Sequence, residues 1–267
     1  MCPLAPRVGG SDRSTVNSAG VTSRVMLGDR RILVTGASSG IGRGLALEYA
    51  RHGARVWAVA RSADALSQLP VEAEGPVTPV AADVTSSAGR RAVSTAVEHE
   101  GGRLDVVVHA AGILGSVGVP LVDYPEDEWR SVFEVNVTAV HLLHQRLAPF
   151  LDRGTAPAVI GLASTVGREP RAGWGMYAVS KHALEGWLGT LAQEWESGRV
   201  YSVNPGGTRT PMRAEARPDE HPDMVPTPEQ IAPLFLRLAH PDAPEPSGTR
   251  LEARDWIGRD PWEGLGN

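Results

Sequence analysis

The chain has 267 residues, of which 42% are hydrophobic and 21% charged, with a formal net charge of -5. That length suits one large domain, and an acidic balance without basic, aromatic-studded patches excludes a nucleic-acid binder held by charge. The only cysteine, Cys2, permits neither an internal disulfide nor a thiolate zinc cage, and no metal site is expected; no apolar run reaches the ~18 residues of a membrane span.

Residues 1–24, rich in Ser, Gly, Pro and Arg and lacking a secretory-type apolar core, read as a flexible leader of a cytoplasmic protein; 25–267 read as one domain. From Arg31 onward, short Val/Ile/Leu/Ala runs alternate with stretches of helical period, the pattern of an α/β fold with a parallel sheet covered on both faces. Strands are expected at 32–35, 55–60, 77–82, 104–110, 158–163 and 199–203, with a last one near Thr249 to Ala253. These runs lack clean alternation, which implies burial on both faces. Long helices are expected at 126–151 and 177–197, and the Pro-rich piece from Pro218 to Pro228 reads as a surface excursion of the same domain.

The first strand runs into TGASSGIG, Thr35 to Gly42, with a helix beginning near Ile41. In this context Gly36, Gly40 and Gly42 permit a tight turn and a close backbone approach, while the helix N-terminus offers free N–H groups to a pyrophosphate. At the end of the second strand, where a carboxylate would accept from the ribose of NAD, stand Ala60 and Arg61. A guanidinium is a bidentate partner for a 2′-phosphate, so NADP(H) is preferred, with Ser38, Ser39 and Ser62 as further donors; NAD(H) stays open.

Within GWGMYAVSKHALEGW, Tyr177 and Lys181 stand four apart and share a helix face. An ammonium beside a phenol lowers its pKa from ~10 and makes it a usable general acid and base. Ser164 follows the fifth strand at its carboxyl end, where ligands bind in open sheets; a turn or cap role is the plainer alternative. Asn136 falls in the apolar stripe of the 126–151 helix, where an amide needs partners.

TG-x-x-x-G-x-G and Y-x-x-x-K together resemble the short, single-domain branch of the short-chain dehydrogenase/reductase family, and the resemblance runs from Arg31 to about Trp256. It implies a Rossmann-type doubly wound sheet of about seven strands. It also implies a catalytic tetrad of Asn136, Ser164, Tyr177 and Lys181. Tyr177 would protonate the developing alkoxide as hydride arrives from the nicotinamide, and Ser164 would orient the carbonyl. Lys181 would bind the nicotinamide ribose and depress the tyrosine pKa. Asn136 would bend its helix and hold a water linking the lysine to solvent.

The resemblance further assigns Ile41 to the cofactor loop and Asp83 and Val84 to the adenine, although Asp83 also suits a helix N-cap. Ala110 and Gly112 let the cofactor approach, and Pro205, Gly206, Thr208 and Thr210 contact the carboxamide. One departure is His109-Ala110-Ala111-Gly112, where the family usually shows Asn-Asn-Ala-Gly; His109 is expected to make a structural contact, with a cost to local stability.

Three segments should enclose the substrate: ILGSVGVP after Gly112, TVGREPRAGWGM before Tyr177, and PMRAEARPDEHPDM after Thr210. Trp174 and Met176 are candidates for an apolar wall, and Arg168, Arg171 and Arg213 raise an anionic substrate. The expected function is NADP(H)-dependent hydride transfer between nicotinamide and a ketone, aldehyde or secondary alcohol. The alternative is a non-catalytic dinucleotide-binding sensor or scaffold, which would be expected to lose Tyr177 or Lys181; both are present. The resemblance implies a homo-oligomer, dimer or tetramer, paired through the two long helices.

Overall fold

A computed structural model describes residues 26–266 together with Thr15–Val16 and Thr22–Ser23, two short strands that pair antiparallel. The rest of the expected leader lies outside the described residues. Seven strands form the main sheet: β1 (Arg31–Thr35), β2 (Arg55–Ala60), β3 (Val77–Ala81), β4 (Val106–His109), β5 (Ala158–Leu162), β6 (Arg199–Asn204) and β7 (Arg250–Glu252). All neighbours run parallel, in the order β3-β2-β1-β4-β5-β6-β7. Pro79 is tolerated because β3 is an edge strand, where a missing N–H breaks no interior ladder.

The helices are α1 (Gly40–Arg51), α2 (Ala63–Ser67), α3 (Leu69–Glu72), α4 (Ser87–His99), α5 (Glu126–Phe133), α6 (Ala139–Leu151), α7 (Gly175–Glu194), α8 (Pro211–Ala216) and α9 (Pro228–Ala239). Alternate strand residues feed two cores. Ile32, Val34, Val106, Val108 and Ile160 pack with Leu45 and Tyr49 of α1 and Leu234 and Phe235 of α9. Leu33, Trp57, Val107 and Val159 pack on the other face with Val93 and Val97 of α4, Leu143 and Leu147 of α6, and Leu184 and Leu188 of α7. Both faces being covered explains why the strands read as unbroken apolar runs.

Strand order reverses between β1 and β4, and the loops after those two strands meet at the carboxyl edge, the place where open α/β sheets bind ligands. The expected helix over 126–151 is α5, a π-helical turn at Glu134–Thr138, and α6. The Pro-rich excursion follows α8 and contains a single 3-10 turn, Pro222–Met224.

Candidate active site

The glycine turn closes on itself. Gly36 and Gly40 have φ of +70° and +54°, and a Cβ on Gly36 would stand 2.8 Å from the Ala111 backbone. One on Gly42 would stand 2.5 Å from the Gly36 carbonyl oxygen. Backbone packing therefore forbids side chains there before any ligand is considered. Ser39, the N-cap of α1, makes no side-chain cap bond, and the first turn carries no acid. The leading N–H groups of α1 suit an anion.

Thr35 Oγ1 accepts the N–H groups of Ala110 and Ala111 at 3.0 and 3.1 Å, tying the loops after β1 and β4 together where the expected Asn pair is missing. His109 is buried with its ring 5.9 Å from Trp187 and 6.4 Å from His144, and its Nε2 has no hydrogen-bond partner. Burial pushes the His109 pKa down to about 3, so the ring is neutral and packs as a core aromatic.

A trough of about 490 Å³ crosses the carboxyl ends of the strands. It is lined by Gly36, Ser38, Ser39, Gly40, Ile41, Gly42, Arg61, Asp83, Val84, Ala110, Gly112, Tyr177, Lys181, Pro205 and Thr210. Gly206 and Thr208 do not line it. A Cβ on Gly206 would meet the Arg254 side chain at 2.6 Å, and Thr208, 3% exposed, turns its hydroxyl to the Pro205 and Gly206 carbonyls. Asp83 caps no helix: its carboxylate accepts from the N–H and hydroxyl of Thr85, which holds its pKa below the usual carboxylate range, and Ser86 is the N-cap of α4.

At the other end of the trough Tyr177 and Lys181 rise from the first half of α7. Lys181 Nζ donates to the Leu162 carbonyl at 2.7 Å and lies 5.6 Å from the centre of the Tyr177 ring. Burial pushes Lys181 down to about 8, opposed by Glu185 one turn on. Burial pushes Tyr177 up to about 12, opposed by a hydrogen bond with Ser164. The expected low phenol pKa is not what this geometry gives: desolvation of the phenolate outweighs the nearby ammonium, which is committed to a carbonyl. The phenol is a loaded acid at neutral pH.

Asn136 is 1% exposed in the π turn. Its amide bonds Ile113 twice, accepting the N–H at 2.9 Å and donating to the carbonyl at 3.0 Å, and it donates to Ser180 Oγ at 2.9 Å. It fastens the loop after Gly112 to α7. Ser180 escaped the sequence reading although it adjoins Lys181, and Thr35 was read only as the start of the glycine motif, because a hydroxyl gains meaning from partners distant in sequence.

Most of the suggested substrate side chains are otherwise engaged. Arg213 pairs with Glu220, and Arg168 with Glu185 and Glu252, whereas Arg171 makes only an exposed pair with Glu169 at 3.4 Å. Met176 is fully buried in the core and forms no wall, whereas Trp174 lies half-buried with its ring 6.0 Å from that of Tyr177.

The family model for short chain dehydrogenase matches residues 30–221. An uncharacterized oxidoreductase, YciK, from Escherichia coli K12 is 40% identical over 249 residues, covering 86% of this chain and 93% of that protein. The 3-oxoacyl-[acyl-carrier-protein] reductase FabG of Thermotoga maritima is 34% identical over 221 residues, covering 78% and 89%. A short chain dehydrogenase of Shigella flexneri 2a, solved with NADP, superposes with a TM-score of 0.80 at 39% identity, covering 86% of this chain and 99% of that one. Another from Escherichia coli CFT073, solved with NADPH, gives 0.80 and 39%, covering 86% and 98%. The chain therefore belongs to the short-chain dehydrogenase/reductase family, NAD(P)-dependent oxidoreductases that act on CH–OH and C=O groups.

Proposed function

We propose that this chain is an NADP(H)-dependent reductase of a ketone or aldehyde, running in reverse on a secondary alcohol, with Tyr177 as general acid and base. One observation carries the reading. A single trough has Arg61 and the acid-free start of α1 toward one end and Tyr177 with Lys181 toward the other. The NADP and NADPH held by the two similar structures support the same choice of cofactor.

The residues fit a phosphorylated dinucleotide. The Gly36–Gly42 turn would take the pyrophosphate, and Arg61 with Ser38 and Ser39 the 2′-phosphate. Asp83 and Val84 would take the adenine, and Lys181, Pro205 and Thr210 the nicotinamide end, with Gly206 and Thr208 shaping that loop from behind. When bound, the group supplies or receives a hydride at the substrate carbon.

The oxygen is handled by the chain. Ser164 donates a hydrogen bond to the carbonyl oxygen, and the Tyr177 hydroxyl gives its proton to that oxygen as C=O becomes C–OH. The Lys181 ammonium then stabilises the phenolate until solvent returns the proton. Asn136 keeps the Ile113 loop and α7 in register through Ser180.

The reading includes a homo-oligomer paired through α5–α6 and α7. Gly186 and Gly189 on α7 have nothing within 4 Å of where a Cβ would stand, leaving a face that a second copy could approach closely.

The test is absorbance of the reduced nicotinamide on mixing the protein with NADPH or NADH and a panel of ketones, aldehydes, quinones and sugar derivatives. Turnover with NADPH that vanishes in Tyr177→Phe is expected. Equal turnover by that variant would sink the assignment.

A further inference from the structure

Beneath the tetrad lies a polar network that the reaction chemistry leaves unexplained. Arg168 stands four residues beyond Ser164, in the loop leading to α7, with a side chain only 17% exposed. Its Nε donates to Glu185 at 2.7 Å; Glu185 is 4% exposed and sits on α7 one turn past Lys181. Its Nη1 donates to Glu252 of β7, and its Nη2 to the carbonyl and hydroxyl of Ser202 on β6 at 3.2 and 3.1 Å. One planar group thus spans the catalytic helix and two strands.

The network continues toward the nicotinamide loop. The second oxygen of Glu252 accepts from Asn204 Nδ2 at 2.8 Å. Asn204, 4% exposed at the end of β6, also donates to Thr165 Oγ1 at 2.9 Å and accepts the Gly206 N–H at 3.0 Å. Thr165 directly follows Ser164, and Gly206 follows the trough-lining Pro205.

Arginine is suited to this task. Its fork holds several acceptors in fixed directions, and its permanent charge compensates the buried Glu185 together with the half-exposed Glu252. Arg250 adds a second cation on Glu185 at 3.1 Å from the solvent side.

We propose that Arg168 is a positioning residue, which through Glu185 and through Glu252–Asn204 sets the Ser164 loop, the Tyr177–Lys181 face of α7 and the Gly206 loop relative to one another. This rests on the tetrad reading above. Arg61 and the adenine end lie across the sheet, on the far side of β1, and do not share the network. Loss of Arg168 therefore loosens the nicotinamide end and leaves the other end intact.

The experiment compares wild type, Arg168→Lys, Arg168→Met and Glu252→Gln in three readouts. Adenosine 2′,5′-bisphosphate reports the adenine end, NADPH emission reports confinement of the nicotinamide, and kcat is read with the fastest ketone or aldehyde of the panel. The expected result is unchanged bisphosphate affinity, a loss of the emission gain on NADPH binding, and a kcat lower by about a hundredfold in Arg168→Met, since small misplacements cost that much. Arg168→Lys should fall short as well, because an ammonium cannot hold three directed acceptors.

If Arg168→Met does not fold, Arg168→Lys and Glu252→Gln carry the comparison. Wild-type emission and kcat in the folded variants would overturn the proposal, as would parallel losses of bisphosphate binding and emission, which mark general loosening. Tyr177→Phe is run beside them: normal turnover there defeats the tetrad reading, while the emission readout still decides the role of Arg168.

Discussion

Arg61 is exposed at the edge of the trough, where its charge also acts on Asp83, and the proposed cofactor places a 2′-phosphate beside it. Arg61→Ala should weaken NADPH by roughly 2 kcal/mol, the scale of a hydrogen bond to a charged group, and leave NADH nearly unchanged. Titration with both dinucleotides checks this, and equal losses would contradict it. His109 and His144 make a second prediction. Burial lowers them from 6.5 to about 3 and about 4, so the unfolded chain binds protons that the folded one refuses. Stability is then complete above about pH 6.5 and falls as the pH drops from there toward 3. Thermal midpoints measured across that window should decline with acid, and His109→Asn should flatten part of the decline. At this scale the spacing of Tyr177 and Lys181 was legible from sequence, and their pKa values were not. A pattern of residues says which groups are close, whereas desolvation depends on everything else packed around them.

The π turn at Glu134–Thr138 shows what elements add. Periodicity marks one helix, but Asn136 finds its partners at Ile113 and Ser180, 23 and 44 residues away, and no local rule reveals that. Asn136→Ala would leave the Ile113 N–H and carbonyl without their partner in a part-buried place. The expected cost is about 2 kcal/mol, read as a lower denaturant midpoint, with an accompanying loss of kcat as the Ile113 loop loosens from α7. A wild-type midpoint would show that the turn needs no such tie. Tyr124 is a related case: a Cβ on Gly115 would stand 2.4 Å from its hydroxyl, and one on Gly175 2.5 Å from its ring. The ring fills the gap between the loop after β4 and the start of α7, which is why both glycines are needed. Sequence reading gave those glycines no such meaning, because the wedge joins Gly175 to a loop some fifty residues earlier in the chain.

At the scale of the whole molecule, the parallel sheet and the positions of its strands were the most readable features, and the order of the strands came from the structure. Continuous apolar strands alternating with helices leave few arrangements once every crossover is right-handed, and a glycine loop after β1 points to the edge where the sheet order reverses. The enclosure of the substrate was far less readable, since Arg168 and Arg213 turned out to serve part-buried ion pairs and Arg171 an exposed one. Among the described residues no helix is long and apolar enough to cross a membrane. The open face of α7 predicts an oligomer by light scattering, and Gly186→Arg should shift it to smaller species without lowering the NADPH affinity of the subunit. An unchanged mass would place the subunit contact elsewhere.

The most direct test of the account is deuterium transfer from nicotinamide-deuterated NADPH, followed by mass spectrometry of the alcohol formed from the panel's best carbonyl substrate. The account predicts one deuterium on the carbinol carbon with wild type and none above background with Tyr177→Phe, although that variant still binds NADPH. Deuterated alcohol formed equally fast by Tyr177→Phe would show that the proton comes from elsewhere and would contradict the mechanism.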